Sequence, residues 1–419
     1  MSNEWRECTL GDVVNFRRGH DLPKSKMKSG RYPVMGSNGV IGFHNEFTTK
    51  SPCVSIGRSG NVGNPKILKQ DCWAHNTTLY IDDFKGNDPL YVYYLLHRLN
   101  LANYKGGSAV PTLNRNHIHP IELSIPPLQE QKSIAYILGT LDDKIELNRK
   151  MNETLEQMAQ ALFKSWFEDF DPVLDNAIAK GNSIPDALKP KAEQRKEVLA
   201  SGKYKASPKE LMKLFPSSFE FNEELDKWIP EGWEVSTVGQ EFNVTMGQSP
   251  PGSSYNEKEL GMPFFQGKTD FGFRFPTNRI YCTEPKRTAN KNDTLISVRA
   301  PVGNANLALS DCSIGRGLAA LRHKSKSISF TYYSILELKE IFDVFEGEGT
   351  VFGSINQTDL KNISVIKSDP QIIEKYDFIA KSYDQKIEIN ENQISSLTQQ
   401  RDVLLPQLIS GKLKPTKQL

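Results

Sequence analysis

LQEQKSIAYILGTLDDKIELNRKMNETLEQMAQALFKSWFED, residues 128–169, is the stretch from which the rest of the chain is read. Its apolar or amide side chains recur at alternating steps of four and three: Ile134, Leu138, Leu141, Ile145, Asn148, Asn152, Leu155, Ala159, Leu162 and Trp166. That spacing keeps one narrow stripe of a helix facing a neighbour, which is the seam of a coiled coil. Pro126 and Pro127 can only precede or open the helix, and Pro172 is expected to end it. One helix of about 40 residues, roughly 60 Å long, is therefore predicted. A stripe so narrow needs a second helix to cover it.

That second helix is in the same chain. Moving the seam by 242 residues gives Tyr376, Ala380, Tyr383, Ile387, Asn390, Ile394, Leu397, Arg401, Leu404 and Leu408, and DDKIELN (142–148) recurs as DQKIEIN (384–390). Asn148 thus repeats as Asn390, and a buried amide in a seam sets register more than it adds stability. A common offset for both features marks an internal repeat.

The globular parts repeat too. WRECTLGDVVN (5–15) is answered by WEVSTVGQEFN (233–243), YPVMGS (32–37) by MPFFQG (262–267), and GRSGNVGN (57–64) by VRAPVGNAN (298–306). A short buried helix expected over PLYVYYLLHRLNL (89–101) is echoed at 329–342, and GGSAVPTLNRNHIHPIELSI (106–125) answers GEGTVFGSINQTDLKNISVI (347–366), with Asn114 over Asn356. Short β-prone runs such as PCVSI, TTLYI and IELSI point to mixed sheets with irregular loops. The expected class is α+β: two pseudo-repeated mixed α/β domains separated by two long helices that form an antiparallel coiled coil. The boundaries read as a first domain (1–126), a central spacer helix (127–171), a polar connector (172–231) with a capped helix start at Ser207 and Pro208, a second domain (232–369) and a C-terminal spacer helix (370–412). Antiparallel pairing would place two unlike heads at opposite ends of the rod, suited to two sites about one DNA turn apart, roughly 34 Å.

At 419 residues the chain has room for several cores. The five cysteines are widely spaced without a Cys-x-x-Cys pair, so no disulfide framework or zinc cage is expected. No signal segment or apolar run long enough for a membrane is read, and a cytoplasmic protein without a membrane partner is expected. Net charge is +2, but residues 1–125 hold fifteen Lys plus Arg against ten Asp plus Glu, an excess compatible with DNA.

The openings from Trp5 to Asp12 and Trp233 to Gln240, SAVPTLNRNHI (108–118), IPPLQEQ running through the long helix to FEDFDP (125–172), LFPSSFE (214–220) and IPEGW (229–233) together resemble the specificity subunit of a type I restriction-modification system. The order and spacing agree over nearly the whole length. The second half departs at KSDPQIIEKYD (367–377), which replaces the family's Pro-Pro-Leu-x-Glu-Gln helix entry. The resemblance implies a non-catalytic reader of double-stranded DNA, with each head a target recognition domain for half of a split sequence. It further implies helices that set the gap and dock two methyltransferase (modification) subunits, and through them restriction/translocase subunits. S-adenosylmethionine, ATP and Mg would then belong to those partners, with no cofactor, metal or catalytic residue in this chain.

The residues themselves agree. Asp88-Pro89-Leu90-Tyr91 lacks the second proline of a base-flipping methyltransferase loop and has no Gly-rich turn before it. Gly261 to Thr269 has five residues between its glycines where a phosphate loop has four. Asp142, Asp143 and Lys144 read as a charged helix rim, not a nuclease site. An adaptor whose heads bind protein is the alternative, although adaptors have no reason to keep two like domains with different polar loops. Base edges call for Arg, Lys, Asn or Gln, and phosphates for hydroxyls, lysines and backbone amides. The candidates in the first head are Arg17, Arg18, His20, Lys24, Lys26, Ser37, Asn38, Arg58, Ser59, Asn61, His75 and Asn76. In the second they are Gln248, Ser249, Lys268, Thr269, Arg274, Arg299, Arg316 and Lys324, with Arg58 and Arg299 favoured for lying in corresponding loops. Asn114 and Asn356 are expected to cap or stitch, and Trp73, Phe264 and Phe265 to be core.

Overall fold

The seam residues build two long helices, Leu128–Phe163 and Pro370–Ile409, in a computed structural model that describes residues 4–104, 106, 111–201, 209–347 and 353–415. The chain divides into two units, Met1–Arg149 with Asn392–Leu419, and Lys150–Glu391, and each long helix begins in one unit and ends in the other. Every predicted seam position is buried or half-buried. Within the first unit Arg401 donates to Asp142 at 2.9 Å and Asn148 to Gln393 at 3.1 Å. Within the second, Asn390 donates to Asn152 at 2.8 Å, Asn152 to Glu391 at 2.7 Å, and the Tyr376 hydroxyl to the Ala159 carbonyl at 3.1 Å. Residue numbers rise on one helix as they fall on the other, so the pairing is antiparallel in both units. Asp142, expected on a solvated rim, instead accepts from Arg401 and from the Tyr94 hydroxyl at 2.6 Å, while Asp143 does face water beside Lys69.

The first unit is built on an antiparallel sheet in the spatial order Asn15–Arg18, Thr78–Asp83, Cys53–Gly57, Pro65–Leu68. A smaller sheet joins Gly39–His44, Tyr32–Gly36 and Trp73–Ala74, and Arg6–Thr9 pairs with Glu122–Ile125 to close the domain. Helix Pro89–Arg98 is apolar nearly all round and sits in the core with Phe16, Ile56, Ile134, Leu138, Leu408 and Ile409. Asp88 caps it, accepting from the backbone N–H of Leu90 and Tyr91, which gives the Asp-Pro-Leu-Tyr text a structural reason.

The second unit repeats this plan. Its main sheet runs Phe242–Met246, Leu318–His323, Thr294–Ser297, Ala305–Leu307, the same order as in the first unit. Five short strands, among them Met262–Phe265 and Cys312–Ile314, form the smaller sheet, and Glu234–Thr237 pairs with Ser364–Lys367. Helix Ile328–Glu337 follows a Ser327 cap. Asn114 and Asn356 each cap a short helix before the closing strand, accepting from Asn116 and Asp359.

Between the first long helix and the second head lie helices Asp171–Lys180 and Lys189–Ala200, locked by Arg195 on Asp175, and the hairpin Phe219–Asn222 with Lys227–Pro230. Ser207 and Pro208 fall outside the described residues. The long helix does not end at Pro172. It widens into a π turn at Lys164–Glu168 and breaks at Phe170, whose φ is +53°, and Pro172 sits in the first turn of the next helix, where its missing N–H costs nothing. Among the described residues no helix is long and apolar enough to cross a membrane.

Candidate nucleic-acid interface

In the first head, the loops that leave the strands meet around Thr77. The Thr77 carbonyl accepts from the N–H of Arg58 at 2.8 Å and of Ser59 at 3.2 Å, and its hydroxyl accepts from the N–H of Ser37 at 3.3 Å. The Gly19 N–H donates to the Thr78 carbonyl, that of His20 to Ala74, and that of His75 to Met35. His20, Ser37, Asn38, Arg58, Ser59 and Asn76 are therefore neighbours on one rim of the domain.

The second head repeats four of these bonds. Gly247 donates to Leu318, Gln248 to Ile314, Gly315 to Phe265 and Val298 to Gly317. At Gly19 and Gly247 a Cβ would drive into the carbonyl of His75 or of Gly315, so neither position accepts a side chain. What differs is the decoration: His20 against Gln248, His75-Asn76-Thr77 against Gly315-Arg316-Gly317. The Ser249 hydroxyl donates to Gln266 at 3.0 Å and accepts from the Arg316 N–H at 3.3 Å, while Lys268 and Thr269 follow Gly267 in a 3-10 turn. The bonding also refines the expected match between arginines. Arg58 aligns with Val298, and Arg299 with Ser59, since Ser59 bridges Thr112 as Arg299 bridges Ser354.

Most candidates stand in water. Arg18, His20, Asn38, Asn61, Gln248, Lys268, Thr269, Arg299 and Arg316 are exposed, Arg58, Ser59, Asn76 and Ser249 half-buried, and Ser37 buried. Arg17 pairs with Asp82 at 3.4 Å and Arg18 with Asp21 at 3.6 Å, both solvated contacts worth little, and Asn76 donates to Asp21. His75 turns inward to the Thr77 hydroxyl, and the Lys324 N–H is tied to the Glu241 carbonyl away from the rim loops. Trp73 is half-buried against His44, and Phe264 and Phe265 are core.

Arg274 is a correction. Its side chain is 1% exposed, donating to Asp384 at 2.8 Å, to Glu156 at 3.1 Å and to the Tyr333 hydroxyl at 2.9 Å, with the guanidinium 4.1 Å from the Tyr332 ring centre. Burial works against its charge, but the tyrosines and both carboxylates outweigh that and raise its pKa. Burial likewise holds the Glu156 carboxyl above the usual range despite the adjacent arginine. Arg274 fastens the second head to both long helices and does not stand among the exposed loop residues. Nothing in DFGFRFP separates it from an exposed loop arginine, because its partners come from distant parts of the chain.

Three rim features were not singled out from sequence: Thr77 and Gln266, which hold the loops together, and Arg115. The last lines a cleft of about 320 Å³ with Arg18, Arg58, Thr112 and Asn114, and donates to the Phe16 carbonyl at 3.0 Å. Its position directly after the capping Asn114 was the available signal. Arginine, glutamine and asparagine on exposed strand-end loops suit the donor and acceptor pattern of base edges, and three clustered guanidiniums suit an anionic backbone.

The sequence profile of the type I restriction modification DNA specificity domain matches residues 2–157 and again 230–399. The "Putative type I restriction enzyme MjaX specificity subunit" of Methanocaldococcus jannaschii is 31% identical over 339 residues, 78% of this chain and 68% of that one. The type I restriction enzyme HindI specificity subunit of Haemophilus influenzae is 26% identical over 353 residues, 75% of this chain and 73% of the other. Among solved structures, the S subunit of a type I restriction-modification system from M. genitalium superposes with a TM-score of 0.60 at 18% identity over 99% of this chain and 97% of its own, a likeness of fold.

Proposed function

The chain belongs to the type I restriction modification DNA specificity family, and we propose that each of its two globular heads reads one half of an asymmetric, bipartite DNA target. The observation that carries this is the shared scaffold with unlike surfaces: four equivalent backbone hydrogen bonds hold strand-end loops in both heads, and those loops present different side chains. A constant frame with variable donors and acceptors lets one fold recognise two different base sequences. In the first head Arg58 is the residue for a base edge or a phosphate, with Arg18 and Arg115 beside it. In the second, Gln248, Lys268, Arg299 and Arg316 take those roles.

In this reading the paired helices set the gap between half-sites and dock two methyltransferase subunits, and restriction/translocase subunits join through them, in the cytoplasm. The chain is non-catalytic. S-adenosylmethionine, ATP and Mg act in the partner subunits. A protein-binding adaptor is not favoured, since the relatives are specificity subunits and the heads carry different polar loops on equivalent backbone bonds. Selection from a random duplex pool with the chain in complex with its modification subunits tests the reading. Enrichment of two unlike half-sites at one fixed gap supports it. No enrichment at any salt concentration favours the adaptor.

A further inference from the structure

The two heads differ sharply at one turn that both build the same way. In the first head Pro23 opens a 3-10 turn, Lys24–Lys26, closed by the Lys26 N–H on the Pro23 carbonyl at 2.8 Å. In the second, Pro251 opens Gly252–Ser254, closed by the Ser254 N–H on the Pro251 carbonyl at 3.0 Å. The offset between them, 228, is that of Gly19 and Gly247, so the turns are equivalent. One carries Lys-Ser-Lys and the other Gly-Ser-Ser. Residues 20–31 sum to +3, with Lys24, Lys26, Lys28 and Arg31 against Asp21, whereas residues 248–261 sum to −1. Among the described residues Lys24, Lys26 and Lys28 are exposed and form no ion pair, and Asp21 is engaged by Arg18 and Asn76. The segment is also fastened down. The Lys28 N–H donates to His44 Nδ1 at 3.0 Å, and Met27 Sδ lies 3.0 Å from where a Gly42 Cβ would stand.

We propose that the turn at Lys24, Lys26 and Lys28 is a phosphate grip that gives the first head a sequence-independent hold on the duplex, which the second head lacks. The segment runs between His20 and Ser37, both on the rim, so a duplex lying on the reading loops passes beside it. Lysines carried there on a fastened backbone meet phosphate oxygens without touching a base. The inference rests on the heads reading DNA.

The test compares the whole chain with Lys24→Ser/Lys26→Ser/Lys28→Ser, with Lys258→Ser as the second-head control, in complex with the modification subunits. Affinity for the selected duplex is measured by anisotropy from about 50 to 200 mM salt. The triple variant is expected to lower the slope of log K against log salt by about 2 to 3, near 0.9 per phosphate contact, with both half-sites unchanged and the control like wild type. An unchanged slope with the split consensus intact overturns the grip alone. An altered first half-site also overturns it, because it makes these lysines base readers. Absence of a split consensus with wild type removes the DNA reading beneath it.

Discussion

A guanidinium can be left in water for a ligand or buried against carboxylates, and the second head does both, with Arg299 and Arg274. Replacing Arg274 with Met leaves Glu156 and Asp384 facing each other without a cation, and is expected to cost about 3–5 kcal/mol in denaturant unfolding. A loss under about 1 kcal/mol would mean the network contributes little. Arg58→Ala should leave stability alone and weaken binding by about 1–3 kcal/mol if it touches a base, at the first half-site only. Equal loss on every sequence would make it a phosphate contact. His323 gives a pH dependence. Burial between Phe242 and Phe330 lowers its pKa to about 4, with Glu241 opposing. The unfolded chain therefore takes the proton first, and stability that is complete above the ordinary histidine pKa of about 6.5 is lost as pH falls toward 4, by up to about 3 kcal/mol. Unfolding midpoints from pH 7.5 to 4.5 should show a drop that His323→Gln reduces, and an equal drop in both proteins would place the effect elsewhere.

Among elements, the long helices carry the clearest sequence signal, since one period runs through both and Asn148, Asn152 and Asn390 fall inside it. Asn390 is fully buried, and its Oδ1 has no partner among the described residues. Leucine at both Asn152 and Asn390 should therefore raise stability by about 1–3 kcal/mol, while loosening register so that the selected gap broadens. A fall in stability would show the amides to be net stabilising. The end of the first long helix was less legible, because Pro172 reads as a stop but fits the first turn of another helix, and the break depends on the left-handed backbone of Phe170. Paired glycines and asparagines revealed the strand-end loops. Their bonding through Thr77 and Gln266, and the inward turn of Arg274, depend on residues far apart in sequence, so no local pattern announces them.

For the molecule as a whole, each long helix begins in one unit and ends in the other, and the proposed reading makes helix length the ruler for the gap between half-sites. Seven residues inserted after Arg149 and again after Glu391 keep the seam in phase and add about 10.5 Å to each helix, near three base pairs at about 3.4 Å each. Both half-sites should persist with the gap widened by about that much, and an unchanged gap would deny the helices that role. The most direct measurement is duplex selection with Gln248, Lys268, Arg299 and Arg316 all changed to alanine in the otherwise complete chain. Retention of the first half-site with loss of the second is the predicted result, and simultaneous alteration of both halves, or of neither, would contradict the assignment of one half to each head.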